Sequence, residues 1–183
     1  QNLTIPDCRY GAALEANVLL RDRQGMPVEL QSGPGLVAGA LDLSIERGAE
    51  FAADMIADQL AVGSVGWMAD YGEYLPLDSV PLSGEPALAQ HNLFPLQWQR
   101  ANARAVQQAR NRSGGADAPV WFARSSTLSS PGIVPLFWLG DQLHSWDKLD
   151  GLASTVIGLL SSGISGHALS HSDTGGFTTV KVG

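Results

Sequence analysis

"SVGWMADYGEYLP", residues 64–76, decides how this chain is to be read. The run is apolar through Ala69, bounded by glycines, and stops at Asp70, with a second acid, Glu73, three residues on. So short a segment, apolar without alternation, fits a strand buried on both faces better than a helix. Such strands belong to parallel sheets covered by helices, so the two carboxylates stand at the mouth of a buried element.

Reading outward, the same arrangement recurs. Upstream, "IERGAEFAADMIADQLAV" (45–62) places Phe51, Met55, Ile56 and Leu60 at helical spacing with acids between them, and Gly63 stops the helix. Residues 1–40 read as connecting structure, with "EANVLLRDRQGMPVEL" (15–30) a short helix or loop ahead of a Gly-broken turn and "SGPGLVAG" (32–39) rich in turn formers. Downstream comes a Pro-rich loop (76–95), a helix in "WQRANARAVQQARN" (98–111), a loop in "SGGADAP" (113–119), and an apolar run, "VWFARSS", that ends in Arg124. A third run, "VPLFWLGD" (134–141), ends in Asp141; "LDGLASTVIGLLSSG" (149–163) reads as a helix, and "GHALSHSD" (166–173) as a run ending in His171 and Asp173. Helices alternating with buried strands imply an α/β fold with a parallel sheet. Four strands each ending in an ionisable group imply part of a (β/α)8 TIM barrel, whose strand C-termini line one common site. Such a barrel takes about 250 residues, so residues 1–183 are expected to form a partial catalytic domain, roughly half to two-thirds of the barrel.

The bulk composition narrows the partners. The 183 residues are 44% hydrophobic, enough for a real core, and their formal charge of −7 includes no Lys/Arg cluster, which argues against a nucleic-acid or anionic-membrane partner. No apolar run approaches the roughly 20 residues that span a bilayer. The single Cys8 offers neither an internal disulfide nor a thiolate metal site and leans toward a reducing, cytoplasmic compartment. Sequons at Asn2 and Asn111 matter only in a eukaryotic secretory route. The oligomeric state leaves no mark on the sequence.

Asp70 and Asp141, at the ends of different strands, form a natural pair for glycoside hydrolysis, one attacking or stabilising the anomeric carbon and the other protonating the leaving oxygen. The plain alternative is two surface acids in loops or caps. Trp67, Trp138 and Trp146 lie beside these acids; aromatic faces pack against sugar C–H surfaces, and equally well into a core. Arg124 either forks hydrogen bonds to sugar hydroxyls, holds the nucleophile ionised, or forms a structural ion pair with the neighbouring acids. Glu73, His171 and Asp173 each admit a site role or local solvation and hydrogen bonding. His167 and His171 lack the Glu of a zincin helix, and Gly33, Gly35 and Gly39 miss the dinucleotide spacing, so neither metal nor nucleotide cofactor is expected.

These segments also resemble a known family. "GWMADYGEYLP" is similar to the nucleophile segment of glycoside hydrolase family 31, "FWLGDQLHSWD" (137–147) to its acid/base segment, and "HSDTGGF" (171–177) to the Asp-x-Gly-Gly-Phe stretch after it. The Trp-Met-Ala-Asp-aromatic-Gly-Glu run followed by Gly-Asp-Gln resembles most the sulfoquinovosidase branch, since many α-glucosidases have Asn where Gln142 stands; Thr174 departs from the usual Ile. The resemblance runs from about "YGAALEANVLLRDRQGMP" to the end and implies a cofactor-free, retaining α-glycosidase acting on a small-molecule glycoside. It implies Asp70 as nucleophile, Asp141 as general acid then base, Glu73 as support for the nucleophile, and Arg124 and Asp173 as holders of the sugar; Trp67, Trp138 and His171 join them as substrate-binding candidates by their places beside these groups. It further implies an N-terminal β-domain, earlier barrel strands and a C-terminal part beyond this chain, which is a piece of the catalytic domain. An α-glucosidase or α-xylosidase of the same family, a carbohydrate-binding pseudoenzyme and an inactive fragment are the competing readings. Retention places the two carboxyls about 5 to 5.5 Å apart, and the acid must keep its proton, so its site should raise the pKa of Asp141.

Overall fold

A computed structural model describes residues 9–31, 37–112 and 119–179. Cys8, Asn2, Gly33, Gly35 and most of the 113–119 loop fall outside these residues. The described residues open with a short helix, α1 (Tyr10–Glu15), and an antiparallel pair, β1 (Glu29–Gln31) with β2 (Val37–Gly39), in a region read from sequence as connecting structure. Helix α2 (Glu46–Ala61) leads into β3 (Gly66–Ala69); α3 (Ala87–His91) and α4 (Phe94–Arg112) lead into β4 (Val120–Ala123); β5 (Leu136–Trp138) follows, then α5 (Leu152–Ile164) and β6 (Ser170–His171).

The four strands β3, β4, β5 and β6 pair in that order, all parallel. A doubly wound sheet reverses its strand order at a switch point. A barrel adds each strand beside the last, and the observed order is of that kind. The connection from β4 to β5 carries no helix; residues 124–135 cross in a loop closed by Ser130, whose Oγ accepts from the Thr127 amide at 2.7 Å.

Side chains alternate across the sheet. One face carries Ala69, Trp121, Ala123 and Phe137, which cluster with Val134 and receive Trp67 and the α4 residues Trp98, Ala103 and Val106. The other carries Phe122, with Trp138 edge-on at 6.0 Å and His171 at 4.8 Å. Because the register pairs Ala69 with Ala123, the next residues on that second face, Asp70 and Arg124, leave their strands side by side.

Helix α2 is the packed amphipathic helix expected, with Phe51, Met55, Ile56 and Leu60 partly buried, but its fully buried positions are Gly48, Ala52, Ala53 and Ala57. Small residues let two backbones approach closely. Ala52 shares a cluster with Ala101 of α4, and a Cβ on Gly48 would fall 1.9 Å from the Asp42 carbonyl oxygen. Phe51 packs instead beside Tyr10 and the buried Ala13, Val18 and Leu19. The loop read over 76–95 is also shorter than expected, because α3 lies within it and α4 starts at Phe94 with Pro95 in its first turn, where a missing N–H costs nothing.

Candidate active site

Five of the six ionisable residues read from the sequence as site residues lie at or within three residues of the C-terminal end of a strand of this sheet, and Glu73 lies four past β3. Asp70 follows β3, Arg124 follows β4, Asp141 stands three residues past β5, His171 ends β6 and Asp173 lies two beyond it. Gly140, with φ of +81°, makes the turn that leads from β5 to Asp141.

Arg124 ties the first two strands together. Its Nη1 lies 3.2 Å from Asp70 Oδ1, and its Nε and Nη2 both donate to Glu73 Oε1, at 3.0 and 2.5 Å. Its guanidinium also lies over the Tyr71 ring, 4.6 Å from the centroid, a cation–π arrangement, and Tyr74 stands beside Tyr71 with ring centroids 5.6 Å apart. Burial alone would lower the Arg124 pKa, but the Glu73 hydrogen bond and the charges of Glu73 and Asp70 outweigh it and raise it above the ordinary value. The group is a fixed cation facing two carboxylates.

Asp141 is held differently. Although its side chain reaches the surface, its carboxyl is raised above the usual carboxylate range, first by loss of surrounding water; Arg124 pulls the other way, and the negative charges of Asp70 and Asp173 add to the rise. Those mutual effects place Asp70, Arg124, Asp141 and Asp173 in one electrostatic site. The next residue, Gln142, is buried and donates from Nε2 to the Leu139 carbonyl at 2.8 Å, while its own carbonyl accepts from the amides of Phe177 and Thr178. The loop bearing Asp141 is thereby fastened to the segment after β6. That fastening explains Gly176: a Cβ there would lie 2.7 Å from His144 Cδ2 and 2.9 Å from the Leu143 carbonyl oxygen.

Trp138 is buried and donates from Nε1 to Asp173 Oδ1 at 3.0 Å, fixing that carboxylate across the β5–β6 pair. Among the described residues, Glu73 Oε2, His171 Nε2 and Asp173 Oδ2 are buried without a hydrogen-bond partner, as are Oε1 of Gln142 and of the α4 residues Gln97, Gln99 and Gln108. Buried polar atoms are nearly always paired, and those of Glu73, His171 and Asp173, at the mouth of the sheet, are candidate partners for a polar ligand.

Trp67 is not brought to this mouth. It lies on the opposite face, stacked at 6.1 Å and 5° on Trp121, with Nε1 donating to Asn102 Oδ1 at 2.7 Å. Core packing, the plain alternative for an indole, describes its place. Trp146 is largely exposed. His167 does not share the His171 face either: it precedes β6 and stacks on Phe137 at 3.9 Å, where burial lowers its pKa. Sequence reasoning missed Tyr71, Trp98 and Ser125. Trp98 Nε1 donates to the Asp70 carbonyl at 3.1 Å and Ser125 Oγ to the Tyr71 carbonyl at 2.8 Å. Trp98 reads as a helix position and Ser125 as loop filling, so only Tyr71, adjoining Asp70, carried a signal of its place. Among the described residues no group of three or more His, Cys, Asp or Glu side chains is placed to hold a metal ion, and no helix is long and apolar enough to cross a membrane.

Known proteins resemble this chain over nearly its whole length. The model of the glycosyl hydrolases family 31 TIM-barrel domain matches residues 5–182. A sulfoquinovosidase of Agrobacterium fabrum strain C58 is 38% identical over 144 residues, 78% of this chain and 21% of that protein; one of Escherichia coli strain K12 is 33% identical over 169 residues, 92% and 24%. Among solved structures, a family 31 sulfoquinovosidase from E. rectale, in complex with the aza-sugar inhibitor IFGSQ, superposes with a TM-score of 0.84 at 34% identity, over 94% of this chain and 26% of that one. A cycloalternan-degrading enzyme from Trueperella pyogenes shares the fold, with a TM-score of 0.76 at 22% identity. The chain spans about a quarter or less of the length of the curated relatives it matches. Matched over nearly all its residues, with a sequential parallel sheet that gathers its acids at one end, the chain belongs to glycosyl hydrolase family 31 and forms part of that family's α/β barrel.

Proposed function

We propose that the protein hydrolyses α-glycosides with retention, Asp70 acting as nucleophile and Asp141 as general acid and then base. The observation that carries this reading is the contrast between the two carboxyls: Asp70 is ion-paired with Arg124, whereas loss of surrounding water and the charges of Asp70 and Asp173 raise the pKa of Asp141. Two carboxyls with opposed environments are what a glycosidase needs.

Asp70 Oδ1 accepts from the Tyr71 amide at 2.8 Å and faces Arg124, which leaves Oδ2 as the oxygen to attack the anomeric carbon. Asp141 gives its proton to the departing glycosidic oxygen, and a glycosyl-aspartate forms on Asp70. Asp141, now a carboxylate, takes a proton from water, whose oxygen attacks the same carbon and releases Asp70. Glu73 keeps Arg124 aimed at Asp70. His171 Nε2 and Asp173 Oδ2, unpartnered and buried, bond the sugar hydroxyls, with Trp138 holding Asp173 in place.

The substrate is an α-sulfoquinovoside, such as sulfoquinovosyl glycerol or its diacylglycerol. Two relatives above 30% identity and a solved structure at 34% carry the sulfoquinovosidase name. The test is kcat/KM of the full-length protein on aryl α-sulfoquinovoside and aryl α-glucoside side by side, with Asp70→Asn as the blank. Preference for the sulfonated sugar supports the substrate; preference for the glucoside discards it and keeps the chemistry. Normal turnover by Asp70→Asn would end the mechanism.

A further inference from the structure

The two residues after Asp70 both leave the ordinary backbone regions: Tyr71 has φ of +58° and Gly72 φ of +95°. A tyrosine in the left-handed region is held there by its surroundings rather than by its own preference. Three side chains from two other elements do the holding. Trp98 of α4 donates to the Asp70 carbonyl at 3.1 Å, Ser125 Oγ donates to the Tyr71 carbonyl at 2.8 Å, and Gln99, the fully buried neighbour of Trp98, donates from Nε2 to the Ser125 carbonyl at 2.6 Å. The same groups close on Gly72, where an added Cβ would lie 2.6 Å from both Ser125 Oγ and Trp98 Cδ1. Asn102, fully buried one turn along α4, bonds the Trp98 carbonyl from Nδ2 at 2.8 Å and so ties the helix to the same network.

We infer that Trp98, Ser125 and Gln99 form a clamp on the backbone of Asp70–Gly72 and are positioning residues for the Asp70 carboxylate. None touches substrate. Their effect is to fix the path by which the chain leaves β3, and with it the direction in which the carboxylate projects toward Arg124 and the reacting carbon. An attacking oxygen displaced by about 1 Å loses roughly 100-fold in rate, so a clamp that acts on two successive carbonyls is read in kcat rather than in substrate affinity. The inference rests on Asp70 being the nucleophile.

The test compares Ser125→Ala, Ser125→Thr and Trp98→Phe in the full-length protein, each checked for folding by circular dichroism. Steady-state kinetics on an aryl α-glycoside is paired with hydrogen exchange of the amides of residues 70–75. Ser125→Ala and Trp98→Phe are expected to lower kcat about 10- to 100-fold, with KM within about threefold, and to speed exchange in that segment; Ser125→Thr, which keeps the hydroxyl, restores both. Exchange unchanged in Ser125→Ala and Trp98→Phe would overturn the clamp, as would kcat within twofold of wild type. A wild-type protein inactive on every α-glycoside would sink the assignment of Asp70 instead, while the exchange data still judge the clamp.

Discussion

Nη1 of Arg124 lies 3.2 Å from Oδ1 of Asp70 because the register of two neighbouring parallel strands pairs Ala69 with Ala123. Residues remote in sequence become side-by-side neighbours one step beyond the sheet, and the remaining edge of the guanidinium closes on Glu73. The electrostatics of Asp70 thus follow from strand register.

Arg124→Lys keeps the charge but cannot serve both carboxylates with a planar fork. We expect kcat/KM to fall about 100-fold in Arg124→Lys and more in Arg124→Ala, since a nucleophile left without its cation beside Glu73 faces like-charge repulsion. Retained activity in Arg124→Lys would assign the pair to structure alone.

The raised pKa of Asp141 has a definite sign in the pH profile. A group that holds its proton more tightly in the folded protein stays a competent acid to higher pH, so the alkaline limb of kcat/KM should lie above the ordinary carboxylate range of about 4. Arg124 opposes that rise, so Arg124→Ala should move the alkaline limb further up, a shift read from full pH–rate curves. Asp141→Ala should lose at least roughly 100-fold on substrates with poor leaving groups and much less in the first step on activated aryl glycosides.

The two tryptophans first read as equivalent should behave oppositely. Trp67→Phe leaves Asn102 Oδ1 without its donor and should cost about 1–3 kcal/mol of stability, with KM close to wild type. Trp138→Phe frees the Asp173 carboxylate and should raise KM about tenfold. Thermal melts and kinetics of the pair separate these outcomes.

Gly176→Ala should damage folding and activity together. The position has φ of +98° and its Cβ would meet His144 and the Leu143 carbonyl, on the loop that presents Asp141. A cost of about 1–3 kcal/mol from backbone strain alone is expected, visible as a lower melting midpoint.

The strands and their charged ends were legible because buried parallel strands are short apolar runs, and Asp70, Arg124, Asp141 and His171 each punctuate one. The fully buried positions of α2 were not, because hydropathy weighs Phe51 and Met55 heavily, whereas close helix approach selects Gly48, Ala52 and Ala57. Nor did sequence separate Trp67 from Trp138: each borders an acid, and which sheet face a side chain takes depends on a strand phase that apolar runs lack. Ser125 and Trp98 were silent because their contacts are to backbone carbonyls, which any sequence supplies.

If Asp70 and Asp141 act as a retaining pair, the first-formed sugar keeps the configuration of the substrate. Proton NMR of the full-length protein hydrolysing an α-glycoside should show the α-anomer appearing first, with the β-anomer growing only by mutarotation. Initial release of the β-anomer would mean single displacement by water, with no glycosyl-aspartate on Asp70.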